Sequence, residues 1–407
     1  MVALGCLFGA MYFIQGIGEP TAGLISQPAK SLLKTWGQTT GEIGTFMFLV
    51  GIPWMLKPLY GLISDFLPIR GSRRKSYLLL TTTAASVGLF VLYMVPLSPD
   101  ATWLMLVLLL APSLGIAFSD VVIDALMVEL GQPRKMTGRL QSIQWASIYS
   151  ASIATGFLGG WLTQNQQQEQ SFLICAVATG LSLLLIVLLV REPRGYAPRN
   201  SFWDSIRPLG QAGRNPVFLV SALFLFLWNF NPFSATVLYI YETEVLKLSE
   251  QFSGTLQSIM SAAMVVASIA YGFYCRRIPF RWLIHLSIVT GILATLAYIG
   301  LQDQRSAVII AVVSGLTYMT GSLIQLDLAA RVCPPQVAGT VFATLMALSN
   351  LGMISSDAVG GWLFDYFSSH FGHHRAYDML VVIGALFTAG CWLLVPWLKK
   401  IDGAERP

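Results

Sequence analysis

Charge is what this chain has least of. Asp, Glu, Lys and Arg make up 11% of its 407 residues, where a soluble globular domain carries about 25%. That shortage excludes a water-soluble fold. Histidine is scarce, with four residues in all, and the five cysteines (Cys6, Cys175, Cys275, Cys333, Cys391) are scattered without a CxxC pair. They read as small apolar residues, not as a disulfide framework or a metal site. The GxxxxGK[ST] phosphate loop is missing, which argues against a nucleotide-driven pump. No basic stretch precedes the first apolar run, so no cleavable leader or transit peptide is expected. No cofactor, metal or nucleic-acid partner is expected either, because the net charge of +5 arises from loops.

What the chain has is long apolar runs, with 55% hydrophobic residues. They are about 20 residues long, the length of a membrane-spanning helix, and about twice the segment length of an outer-membrane barrel. The expectation is an all-α membrane protein with spans at 2–29, 40–66, 76–97, 102–130, 137–162, 170–191, 216–243, 251–275, 281–300, 306–332, 337–365 and 376–398. Pro20, Pro53, Pro58, Pro112 and Pro232 fall inside runs. In lipid such breaks persist only where neighbours or water satisfy the freed carbonyls. Most of the 25 Lys and Arg residues fall on one side of this topology, in the loops at 70–75, 134–139, 191–214 and 276–281 and in the tail. The bias places both termini in the cytoplasm, as suits a bacterial inner membrane.

The chain also repeats itself. Gly138 is followed by Gly159-Gly160-Trp161-Leu162, and Gly339 by Gly360-Gly361-Trp362-Leu363, at the same spacing. Gly-Thr opens the second and eighth spans at 44–45 and 254–255, and Tyr-Gly closes them at 60–61 and 271–272. These registers predict two pseudo-symmetric six-helix bundles, 1–191 and 216–407, joined by a basic cytoplasmic linker over 192–215. Within the linker, Trp203, Ile206 and Leu209 fit either a short helix on the inner leaflet or a plain solvated connection.

Functional candidates are charges in the wrong place. Asp120 and Asp124 lie inside an apolar run, with Glu129 at its inner edge. Four apart, they share one helix face about 6 Å from each other. A carboxylate at bilayer depth costs about 2.5–3.5 kcal/mol on insertion scales, so the pair should face the bundle interior or water. Lys57 lies about 12 Å up its helix from Asp65, at a depth similar to Asp124. The expectation is a buried pair between Lys57 and either aspartate. Glu19, beside Gln15, and Asp327 join both aspartates as proton-coupling candidates; Asp327 equally fits a local pair with Arg331. Asp65, Arg73, Glu129 and Arg139 read as a charge network closing the cytoplasmic side.

Gly61-Leu-Ile-Ser-Asp65 followed by the basic cluster Arg70–Lys75 resembles the signature between helices 2 and 3 of the major facilitator superfamily. Pro53-Trp54-Met-Leu-Lys57-Pro58-Leu-Tyr60-Gly61, Ser119-Asp120-Val-Val-Ile-Asp124-Ala and Gly138-Arg139-Leu140-Gln141-Ser142 are similar to its folate–biopterin transporter family, best over residues 12–162. The resemblance implies a monomeric twelve-helix carrier taking up folates or related pterins by proton symport. A planar substrate needs flat and amide partners, and Trp54, Gln141, Gln144, Trp145, Tyr149, Asn229 and Asn231 are the candidates beside Lys57, Asp120 and Asp124. A carrier for a sugar, drug or other small solute is the alternative. An integral-membrane enzyme would have to rely on His285 or on His370, His373 and His374, which read as an outer loop; the expectation is that the chain is not an enzyme. A non-transporting receptor would bind without counterflow.

Overall fold

A computed structural model describes residues 2–131, 137–190, 192, 215–274, 277–333 and 338–398. The linker positions Trp203, Ile206 and Leu209 lie outside the described residues. Among those described the backbone is helical, and the extended pairing is one isolated bridge, Ile69–Ser72. Helices close every backbone hydrogen bond within the segment, which hydrocarbon demands. Nine helices are long and apolar enough to cross a membrane, and two shorter apolar ones accompany them, among the described residues.

The first span is shorter than 2–29. Helix α1 (Val2–Gly18) stops before Pro20, and a separate helix α2 (Ser26–Thr35) follows a stretch of turns. The residue before a proline is pushed out of the helical region, which ends α1 at this point. The second span is broken in the middle. Helix α3 (Thr40–Gly51) runs into a 3₁₀ turn (Ile52–Leu56), and α4 (Lys57–Phe66) begins at Lys57, with Pro58 in its first turn. The break's carbonyls are met from outside the ladder. Tyr60 Oη donates to Pro53 O at 2.9 Å, and Ser113 Oγ to Val50 O at 2.6 Å.

Helices α5 (Lys75–Met94), α6 (Thr102–Gly131), α7 (Thr137–Gln164) and α8 (Gln170–Leu189) follow. The seventh span also breaks, into α9 (Pro216–Asn229) and α10 (Ala235–Ile240), around Pro232. The remaining spans are α11 (Glu250–Tyr274), α12 (Phe280–Ala297), α13 (Gln304–Val332), α14 (Ala338–Phe371) and α15 (His373–Gly390).

The helices gather into two compact units. One comprises residues 1–38, 49–199 and 249–258, the other 39–48, 200–248 and 259–407. In the first, Phe118 of α6 stacks between Tyr60 of α4 (4.8 Å) and Tyr77 of α5 (5.2 Å), and this aromatic stack fixes α4 against α6. Gly115 of α6 lies so near α5 that a methyl group there would meet Thr81 O at 2.6 Å.

The repeated glycines have one physical meaning. In the first unit, Gly160 of α7 packs against the first turns of α11, where a Cβ would lie 3.0 Å from Gln251 Cα, Glu250 O and Gly254 Cα. In the second unit, Gly361 of α14 packs in the same way against Thr40 and Gly41 at the start of α3. Gly254 and Gly44, the glycines of the two Gly-Thr pairs, sit against the carbonyls of Gly156 and Asp357. The internal repeat therefore records two backbone-close crossings. Replacing Gly160 or Gly361 by Leu should cost each protein about 1–3 kcal/mol or more through overpacking. Thermal unfolding in detergent checks this, and the two variants should lose stability to a similar degree.

Candidate substrate site

The site is built on four helices of the first unit. The face of α6 that carries Asp120 also carries Asp124 one turn on. Opposite them α1 presents Tyr12 and Gln15, three apart on its inner stripe. The proline break puts Lys57 at the first residue of α4, where its ammonium reaches α6. Gln144 comes from α7.

Lys57 Nζ lies 2.6 Å from Asp120 Oδ2, with side-chain exposures of 18% and 7%. Snorkelling to a water interface is therefore not its role. The same ammonium sits 4.4 Å from the centre of the Trp54 ring, which adds a cation–π contact. Gln15 Nε2 donates to Asp120 Oδ1 at 2.5 Å. Asp124 Oδ1 accepts from the Tyr12 hydroxyl at 2.5 Å and from Gln144 Nε2 at 3.0 Å. Tyr12 is fully buried. Glu19 extends this line at the end of α1 and accepts from Thr21 Oγ1 at 2.7 Å. Burying an ion pair costs desolvation, and its attraction offsets that cost only where the remaining lone pairs are also met. Here Gln15 donates to the second oxygen of Asp120, and the Trp54 ring faces the ammonium. Along α1 and α7 runs an open groove of about 370 Å3, lined by Gly9, Ala10, Phe13, Ala146, Ser147 and Ser150.

The other candidates are placed differently. Trp145 and Tyr149 of α7 stack on each other at 5.8 Å, and Gln141 is exposed on the same helix. Asn229 and Asn231 lie in the second unit. Asn229 Nδ2 donates to Gln325 Oε1 at 2.8 Å, and Asn231 is engaged with Ser356, Thr295 and the Phe233 amide. Their amides hold the Pro232 break together. Asp327 pairs with Arg331 one turn along α13 at 3.2 Å, beneath the Phe280 ring. His374 Nδ1 bonds the Tyr241 hydroxyl at 2.8 Å, and His370 sits with Ser369 and Tyr366.

Where the Arg70–Lys75 cluster meets α4 and α6 the hub is Arg74, which the sequence marks only as one of the topology-setting charges. Its guanidinium, 5% exposed, reaches Asp65 Oδ1 at 2.6 Å, Glu129 Oε1 at 2.8 Å and Ser64 Oγ at 2.8 Å. Arg73 makes a looser contact with Glu129 at 3.5 Å. Arg139 is exposed, and no ion pair reaches it among the described residues. Glu192, also unforeseen, caps the start of α5. Its carboxylate accepts from the amides of Arg73, Arg74 and Lys75 and from Ser72 Oγ at 2.6–3.1 Å. The signal in the sequence was an acid just past one apolar run and a Ser-Arg-Arg-Lys stretch opening another, but nothing in spacing joins them across 120 residues.

Residues 28–405 match the BT1 family. The chain belongs to that family. A folate-biopterin transporter of Synechocystis sp. is 30% identical, with 97% of this chain and 81% of that protein covered. A probable folate-biopterin transporter 4 of Arabidopsis thaliana is 25% identical over 89% and 88%. A folate transporter 2 of Plasmodium falciparum is 24% identical over 97% and 88%. Among solved structures, the nucleoside transporter NupG superposes with a TM-score of 0.75 at 15% identity, over 98% of this chain and 99% of that one. A D-xylose-proton symporter reaches 0.70 at 13%, over 95% and 96%. The fold is thus of the major facilitator type, and this BT1 member is a multi-pass membrane transporter and not an enzyme.

Burial works to raise the Glu192 carboxyl, but the Ser72 hydroxyl and the amides of Lys75, Arg73 and Arg74 outweigh it and hold the group below its usual range. A depressed carboxyl stabilises the folded state above its unfolded value of about 4.3, and that contribution is lost as pH falls through the lower folded value. Glu192→Gln should therefore lower the thermal midpoint at pH 7. The gap to wild type should shrink as pH drops below about 4. Thermal unfolding across a pH series checks both.

Proposed function

We propose that this transporter carries folate or a related pterin by alternating access, coupled to protons, as a monomer in a bacterial inner membrane with both termini in the cytoplasm. We read it as two six-helix repeats, 1–191 and 216–407, joined by the linker 192–215; the repeated glycine crossings support that division. The observation that carries the substrate reading is the Lys57–Asp120–Asp124 cluster, held inside the bundle in a chain whose relatives are named folate or folate-biopterin transporters.

Each group has a distinct task. Lys57 fixes Asp120 and offers its remaining N–H bonds to an anionic substrate. Trp54 gives that ammonium a face to rest on. Gln144 and Tyr12 hold Asp124. Gln141, Trp145 and Tyr149 lie on the same helix as Gln144, α7. Glu19 suits the travelling proton. It has one hydroxyl donor, and no cation lies within ion-pair distance among the described residues, so a proton can come and go without breaking a salt bridge. Asp327 is less suited, because Arg331 already occupies it. Arg74, with Asp65, Glu129 and Arg73, ties the cytoplasmic ends of α4, α5 and α6 together. That network must rearrange if the inner side is to open and close.

Radiolabelled folate uptake by the purified protein in vesicles, with and without an inward acid gradient, tests the proposal. Uptake should rise with the gradient. Lys57→Ala should abolish it and cost about 3–5 kcal/mol of stability, because Asp120 is left as an unpaired buried charge. Adding Asp120→Asn should restore folded yield but not uptake. Full uptake by Lys57→Ala protein would reject the site.

The proton step has its own check. Glu19→Gln should retain folate counterflow yet lose stimulation by the acid gradient. Stimulation equal to wild type would remove Glu19 from the coupling path.

A further inference from the structure

Asp120 and Asp124 are the same residue one turn apart, but their oxygens are engaged differently. Both oxygens of Asp120 are spent, Oδ2 on Lys57 and Oδ1 on the Gln15 amide. Asp124 takes both of its donors, Tyr12 and Gln144, on Oδ1. No described residue donates to its Oδ2. Asp124 is also the less buried of the two. A second acceptor belongs to the same cluster. Gln15 Oε1 is buried and receives no hydrogen bond, since the amide is turned to give its N–H to Asp120. A buried acceptor left unmet, as Gln15 Oε1 is, destabilises the protein until a donor reaches it. Tyr12 and Gln144 fix Asp124, and Asp120 fixes Gln15, so neither acceptor can turn away to find another donor.

We infer that Asp124 Oδ2 and Gln15 Oε1 receive two adjacent N–H donors from the substrate's ring, an aminopyrimidinone edge in which a ring N–H stands beside an exocyclic amine. The inference rests on the folate and pterin reading given above. A 2-amino-4-oxopteridine carries N3–H and the 2-amino group side by side, two donors facing two acceptors. A 2,4-dioxopteridine has nearly the same shape but places a carbonyl oxygen where the amine was, so an acceptor would face a carboxylate oxygen. A site built for a donor rejects the analogue lacking it far more strongly than a shape-only pocket does. Division of labour between the aspartates follows. Asp120 is the fixed counter-ion of Lys57, and Asp124 is the residue that reads the ring.

The test is displacement of radiolabelled folate from the purified full-length protein by pterin (2-amino-4-oxo) and by lumazine (2,4-dioxo). On wild type, pterin should displace at a concentration at least about tenfold lower than lumazine. Asp124→Asn should erase or reverse that preference, because a carboxamide can donate to the 2-oxo group. Gln15→Met should reduce it in part. If Asp124→Asn does not fold, the wild-type comparison and Gln15→Met decide alone. Equal displacement by the two pteridines on wild type, with folate still bound, overturns the inference and leaves the transport reading standing. A preference undiminished in folded Asp124→Asn or Gln15→Met protein overturns it as well. Absence of any folate binding defeats the transport reading itself, and the inference with it.

Discussion

An ammonium and a carboxylate 2.6 Å apart inside an apolar bundle dictate most of what surrounds them. Neither charge could stay there alone, because an isolated ion would have to shed its charge or find water. Lys57 reaches Asp120 because the second span is broken just before it, where Pro53 and Pro58 each remove a ladder N–H. Asp120 keeps its position because Gln15 takes its second oxygen. The break in turn survives because Tyr60 and Ser113 satisfy its carbonyls. The ion pair, the proline break and the hydroxyl caps form one construction, and each part would be unstable without the others.

The same economy governs the edge that carries the Arg70–Lys75 cluster. Arg74 gathers Asp65 from α4 and Glu129 from α6, and Glu192 gathers the amides at the start of α5. Three helices thereby share a charge network whose partners are 9 to 120 residues apart along the chain. A carrier that alternates between states needs contacts of this sort at its ends, strong enough to hold and polar enough to be exchanged for water. The apolar middle of the unit, with Phe118 stacked between Tyr60 and Tyr77, has no such exchange available and serves as the rigid frame.

The second unit holds its own helix break differently. Its broken helix around Pro232 is held by neutral amides and hydroxyls, from Asn229, Asn231, Thr295, Ser356 and Gln325, where the first unit uses an ion pair. Asp327 is answered locally by Arg331. The glycine crossings, in contrast, are kept in both units at matching positions. These crossings are common to the two units, while the two helix breaks are held by different chemistry.

The sequence by itself determined the class of protein. Few charges and long apolar runs left a helical membrane protein, and the spacing of Gly-Gly-Trp-Leu pointed to the paired glycine crossings. It also marked Lys57, Asp120 and Asp124, because charge at bilayer depth is conspicuous in any linear reading. Which aspartate meets the lysine was beyond it, since residues four apart share a face and differ by a rise of about 6 Å. Only the tertiary structure decided that Asp120 takes Lys57 while Asp124 takes Tyr12 and Gln144, that Arg74 is the hub of the charge network, and that Glu192 caps a helix more than a hundred residues back. Those outcomes depend on helix rotation and on where a chain stops being helical at Gly18 and Gly51. Such choices are made by neighbours that are distant in sequence, so no local pattern encodes them.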